Sequence, residues 1–396
     1  MADKRQFKTI EMDPDELDQK IRSHRVRIIK GILFSVGIIL LVCAAFFLML
    51  RLRTYSDYTV EESIDREDSA SSQFLSYGKG FVKYSNDGAI YTNASNDLYW
   101  NQTFEMQDPI VEQCEDYLAF ADRGGTNIYI LNENGLKGEI ETPMNIVKIC
   151  VANQGTVAVL MESDGTNYIR LYDRNGKNLV KGALHVEKSG YPLDIALCND
   201  ANKLAASMLD VSGGKITSSI RFYNFGSVGQ NEVDNLVGAY DYEDILIPQI
   251  EFMSNDRLVA FGDTKVLIFE GTQKPAPDKE ITLDTEVKSV FYSEDYIGLI
   301  SNTAEDAEES RHMDIYDVKG KHLLGKDFTL DYEGIEFLEN GEICIHNADE
   351  CLIYNTYGVK KFQYTFETPL YKIMSGSTQT SYTFILEGTT EKVRLK

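Results

Sequence analysis

Carboxylates dominate the ionisable side chains of this 396-residue chain: 62 Asp and Glu stand against 39 Lys and Arg, with only five His. Many of the acids fall in short turns between apolar runs. Asp122, Asp164, Asp210, Asp263 and Asp349 occupy such turns, and residues 302–311 (NTAEDAEESR) gather Glu305, Asp306, Glu308 and Glu309 in one stretch. Held on a common face, such residues would focus negative potential and attract a cationic protein segment, a polymer or a metal ion. The competing reading is that Asp is simply a good turn residue on an acidic protein, because its short side chain bonds to nearby backbone. Sequence leaves both open.

Sharper chemistries lack their residues. His24, His185, His312, His322 and His346 are isolated, with no H-x-x-x-H or H-E-x-x-H spacing suited to zinc. Gly213-Gly214-Lys215-Ile216-Thr217 is too short for a phosphate loop and reads as a hairpin turn. Asp173-Arg174-Asn175-Gly176 and Asn86-Asp87-Gly88 share letters with calcium loops but lack the other ligands and the distal Glu. There is no nucleophile elbow. No metal and no cofactor is therefore expected. Carboxylates from separate segments could still converge on a glycosidase-like pair. The six Cys contain no C-x-x-C, and Cys344 and Cys351 flank a tight hairpin as two buried thiols or a disulfide.

The elements that must position the acidic turns repeat. A short apolar strand ends in an aromatic or aliphatic residue, then Asp or Asn, then a Gly turn: Ile128–Gly135, Ile169–Gly176, Ile220–Gly226, Met313–Gly320 and Cys351–Gly358 are the clearest copies. Taking Tyr91, Leu131, Tyr172, Tyr223, Phe269, Tyr316, Tyr354 and Lys396 as equivalent gives spacings of 40, 41, 51, 46, 47, 38 and 42 residues. A strand repeat with that period is a propeller blade of strands a to d. On this frame the acidic turns join strands b and c, on the same face as the d-to-a connections. Inner strands of the third to seventh blades are expected near Asn145, Pro192, Ile245, Val287 and Tyr332. The eighth copy ends after strand c, and Tyr58–Ile64 (YTVEESI) is the unassigned β-like segment able to supply its strand d. We therefore expect an all-β, eight-bladed propeller, with seven blades as the second choice.

Gly31–Leu50 is twenty residues without a charge, long enough to cross a bilayer as a helix. Asp13 and Pro14 resemble a helix start, at the N-cap and first helical position. Five basic residues (Lys20, Arg22, Arg25, Arg27, Lys30) precede the span and three (Arg51, Arg53, Arg66) follow it, which places the N-terminus inside. The expected layout is a cytoplasmic tail 1–27, a transmembrane helix 28–50, a linker 51–73 containing the closing strand 58–64, and a propeller 74–396 outside the plasma membrane. Residues 1–53 carry ten Lys and Arg against six Asp and Glu, which leaves the rest at a formal charge of −27. Such a field repels nucleic acid, whose binding depends on neutralising phosphates.

The repeats resemble quinoprotein-like (PQQ-like) and WD40-like propellers across residues 74–396. Residues 85–100 (SNDGAIYTNASNDLYW) are similar to the quinoprotein repeat ending in a strand-d Trp. Trp100 is the chain's single Trp and no blade has a Gly-His…Trp-Asp pair, so quinone binding is not carried over. The whole layout also resembles a bacterial family of one-span membrane proteins with propeller ectodomains. Together these imply a binding or scaffold module for a protein or a cell-wall component. The alternatives are an envelope-glycan enzyme with its site at the propeller channel, and an anchored cytosolic propeller.

Overall fold

The computed structural model describes residues 14–69, 71–184, 190–303 and 310–396. The chain divides into two compact units, residues 1–54 and 55–396. The described part of the first is a single helix, Pro14–Arg51. Within it Asp18–Met49 contains an 18-residue stretch with a mean hydropathy of 2.9 and is long and apolar enough to cross a membrane. The Asp13 N-cap lies outside the described residues.

The second unit is eight four-stranded antiparallel sheets, an eight-bladed β-propeller. Seven blades are continuous in sequence: residues 73–103, 109–141, 145–184, 191–243, 249–282, 287–328 and 334–365. The eighth takes strands a to c from Leu370–Ser375, Ser381–Leu386 and Thr389–Leu395, and its outer strand from Tyr58–Asp65. That strand runs antiparallel to strand c from Tyr58 opposite Leu395 to Asp65 opposite Thr389. Pairing the first and last strands of this unit covers the edge of strand c that blade eight would otherwise expose.

The repeat has a local physical cause. In blades three, six and seven, the Asp or Asn that follows strand c folds its own turn. Asp173 Oδ1 accepts the amides of Asn175 and Lys177, and Asp317 Oδ1 accepts those of Lys319 and Lys321. Asn355 Oδ1 does the same with Tyr357 and Val359. The Gly of these turns (Gly176, Gly320, Gly358) sits at φ of 73–78°, where a side chain would be strained.

Apolar side chains fill seven of the eight interfaces between blades as separate clusters. The remaining interface, between blades eight and one, is built differently. Arg66, just after the closing strand, pairs with Asp68 at 2.7 Å and donates to the carbonyls of Leu386 (2.7 Å) and Thr389 (3.0 Å). Phe74 of blade one stacks on Tyr371 of blade eight at 5.3 Å.

One expectation is corrected in detail. The inner strand of blade five starts at Gln249 rather than near Ile245, because Pro248 has no amide to give a ladder. Residues 245–247 are instead pinned by buried serines: Ser218 Oγ donates to Ile245 O (2.8 Å) and Ser207 Oγ to Ile247 O (2.6 Å). The stretch from Gly213 to Thr217 lies in the hairpin connection expected of it, which contains a 3-10 turn at Ser212–Gly214. Cys344 and Cys351 are both buried free thiols. Their register explains it: Cys344 lies opposite Ile353 and Cys351 opposite His346, two steps apart.

Candidate functional site

Asp122, Asp164, Asp210, Asp263 and Asp349 lie in or at the ends of the b–c connections of blades two, three, four, five and seven, hence on one face. Three of them bind their own backbone. Asp122 Oδ1 accepts the amides of Gln107 (2.8 Å) and Asp108 (2.9 Å), tying the turn to the preceding d–a connection. Asp263 Oδ1 accepts the Leu246 amide at 3.2 Å. The Asp210 carboxyl is held below its usual range by the amide of Ser212, 2.7 Å away. Asp164, by contrast, occupies a two-residue turn at φ 50°, and the Asp349 contacts run through its backbone. No hydrogen bond or ion pair joins any two of the five; they are distributed one to a blade. Glu305, Asp306, Glu308 and Glu309 lie outside the described residues.

A second group of polar side chains lies at the axis. The innermost strands carry Glu112, Lys148, Asp194, Glu251, Ser289, Glu336 and Lys372, one from each of blades two to eight. Bulges after Ile146, Pro192, Val287 and Leu370 give Lys148, Asp194, Ser289 and Lys372 equivalent registers. Most of these groups link one blade to the next. Lys148 pairs with Asp194, whose other oxygen accepts the Ile250 amide at 2.8 Å. Tyr292 donates to Glu251 (3.0 Å), Tyr332 to Ser289 (2.6 Å) and Lys372 to Glu336 (2.6 Å).

Burial pushes the Glu112 and Glu251 carboxyls up to about 7, against the opposing charge of Lys148. Burial also works against the Lys148 charge, but Asp194 and Glu112 hold the ammonium above its ordinary range. Among the described residues no hydrogen-bond donor reaches Glu112. No group of three or more His, Cys, Asp or Glu among them is arranged to hold a metal ion.

The channel opens on the a–b face, opposite the acidic turns, into a cavity of about 700 Å³. Five carboxylates line it, Glu115, Glu251, Glu294, Asp295 and Glu339, drawn from blades two, five, six and seven. Four rings form its apolar wall: Phe252, Tyr292, Tyr296 and Phe337. No Lys, Arg or His is among the lining residues. Sequence reasoning missed this site, since its lining is drawn from five blades far apart in the chain. For the axial group a signal was present: charged residues interrupt the apolar inner strands, as in PIVEQC, NIVKICV and YPLDIAL.

The chain belongs to a family whose model, described as a family of unknown function (DUF5711), matches residues 51–395. No curated protein matches it. Among solved structures it is similar to the C-terminal WD40 domain of Sif2, at 12% identity and a TM-score of 0.56, covering 86% of this chain and 99% of that one. It is also similar to BamB from Moraxella catarrhalis, at 14% identity and a TM-score of 0.49, covering 86% and 100%. At such identities the likeness concerns the fold alone.

Proposed function

We propose that this protein is a membrane-tethered, extracytoplasmic propeller that acts as a binding or scaffold module for a protein or a cell-wall component. The tail 1–27 stays inside, residues 28–50 span the membrane, and the linker 51–73 delivers the closing strand to a disc formed by residues 74–396. The observation that carries the reading is the channel mouth, a concave, ring-walled, carboxylate-rich cavity on a rigid closed scaffold. The apolar helix and the excess of basic residues before it support the tether and its orientation. Crosslinking in intact membranes, followed by identification of the adducts, tests it. A reproducible protein or wall-fragment adduct is expected, and its absence across crosslinker chemistries would count against a binding role.

One observation favours a second reading, an envelope-glycan enzyme. Glu112 and Glu251 are carboxyls held near 7 inside the channel, as a general acid requires. Turnover of wall fragments by the purified protein, lost in both Glu112→Gln and Glu251→Gln, would establish it.

A further inference from the structure

Five carboxylates share one cavity at the channel mouth, with no Lys, Arg or His in its lining. Deeper in the channel the acids do have cations: Lys148 pairs with Asp194 and Lys372 with Glu336. Among the described residues none of Glu115, Glu251, Glu294, Asp295 and Glu339 forms an ion pair. Their only side-chain hydrogen bonds come from neutral donors, Asn153 to Glu115 (3.3 Å) and Tyr292 to Glu251 (3.0 Å). Glu294, Asp295 and Glu339 are exposed, and no side chain donates to them. Further in, Glu112 adds a half-buried carboxyl that no described donor reaches, sharing its field with Lys148, Glu251 and Asp194.

The walls fit the same kind of ligand. Tyr296 and Phe337 approach across two blades with ring centroids 5.6 Å apart and planes inclined by 32°. Phe252 and Tyr292 add two further rings from the inner strands of blades five and six. Ring faces attract cations through their quadrupole, and carboxylates at the rim supply the longer-range attraction. A neutral or anionic ligand would leave the four exposed carboxylates, Glu115, Glu294, Asp295 and Glu339, uncompensated. A cationic side chain offers an apolar stem to the rings and a charged head to the acids.

The geometry points to the channel mouth as a docking site for a lysine or arginine side chain presented on an extended segment of a partner protein. This inference rests on the binding-module reading and adds to it the face, the residues and the chemistry of the partner. It assigns binding to the a–b face, not to the acidic b–c turns, where Asp122, Asp210 and Asp263 already serve their own backbone.

Calorimetric titration of the full-length protein in detergent tests it with three probes: acetyl-Lys-Lys-amide, its norleucine counterpart, and spermidine. The lysine peptide should bind, weaken with added salt, and lose roughly tenfold or more in affinity when Glu294→Gln and Glu339→Gln are combined, a double loss of charge partners. Both residues are exposed, so the fold should survive, as an unchanged melting temperature would verify. Asp164→Asn, on the opposite face, should bind the peptide as the parent does. The inference is overturned if the norleucine peptide binds equally, if the double variant binds as the parent, or if the peptide does not bind. Spermidine binding far more tightly than the peptide would reassign the site to a free polyamine. A crosslinked partner in membranes without peptide binding would leave the module reading intact and remove only this site.

Discussion

The guanidinium of Arg66 stands 4.7 Å from the ring centroid of Phe74, so a residue leaving blade eight is packed on the first inner strand of blade one. The same guanidinium holds Asp68 and two carbonyls of blade eight, and Asp68 in turn accepts the Gly388 amide at 3.1 Å. One side chain thus joins both sides of the seam where the other interfaces have an apolar cluster. Arg66→Ala should lower stability by about 3 kcal/mol, because it leaves the buried Asp68 carboxylate only the more distant Lys83, 3.6 Å away, and takes the donor from two carbonyls of blade eight. Thermal melting compared with Arg66→Lys checks this, with lysine expected to recover only part of the loss.

The same pair sets an acid limit. Burial alone would raise the Asp68 carboxyl, but Arg66 and the Gly388 amide outweigh it and hold the group below its usual range. Its contribution is therefore present above about pH 4 and lost as pH falls through the lowered value. Acid unfolding of Asp68→Asn should begin from a lower stability at neutral pH and show a shallower decline.

Closure by the membrane-proximal strand predicts a length threshold. A chain beginning at Thr54 retains the Tyr58–Asp65 strand, the Asp57–Lys396 ion pair at 3.1 Å and the Arg66 contacts; one beginning at Ser69 loses all three. The shorter form should melt at clearly lower temperature and expose the outer edge of strand c. Equal melting temperatures would show that the closing strand contributes nothing to stability.

At the axis the sign of the pH effect is opposite. Glu112 and Glu251 titrate near 7 in the fold, above their range in an unfolded chain, so the folded state holds the extra protons. Their contribution is complete below about pH 4 and is lost as pH rises through about 7. Glu112→Gln and Glu251→Gln should flatten the melting temperature between about pH 5 and 8, with the variants gaining on the parent at the alkaline end.

The architecture was legible because its signal is local. Asp173, Asp317 and Asn355 each fold a turn within four residues, so Asp or Asn followed by Gly recurs in the sequence at the end of strand c in these blades. The missing strand was legible by counting, since a repeat that stops after strand c leaves Tyr58–Asp65 as its complement. The channel was not, because Glu112, Lys148, Asp194 and Glu251 come from four blades and meet only when the disc closes. The acidic turns show the converse difficulty. Asp122 and Asp164 look alike in sequence, yet one staples two connections and the other holds a two-residue turn.

Orientation can be read with a thiol. Asn134 is exposed on the c–d turn of blade two, and Asn134→Cys should react with a membrane-impermeant reagent in intact cells above the background of the native cysteines. Labelling only after lysis would place the propeller in the cytosol.

Site-resolved photocrosslinking in living cells tests the binding account most directly. A photoreactive residue at Tyr296, in the channel mouth, should yield a discrete protein adduct that disappears when Glu294, Asp295 and Glu339 are neutralised together. The same residue placed at Asp164, on the b–c face, should not yield it. An adduct formed from Asp164 and absent at Tyr296, or one indifferent to the three neutralisations, would contradict the account.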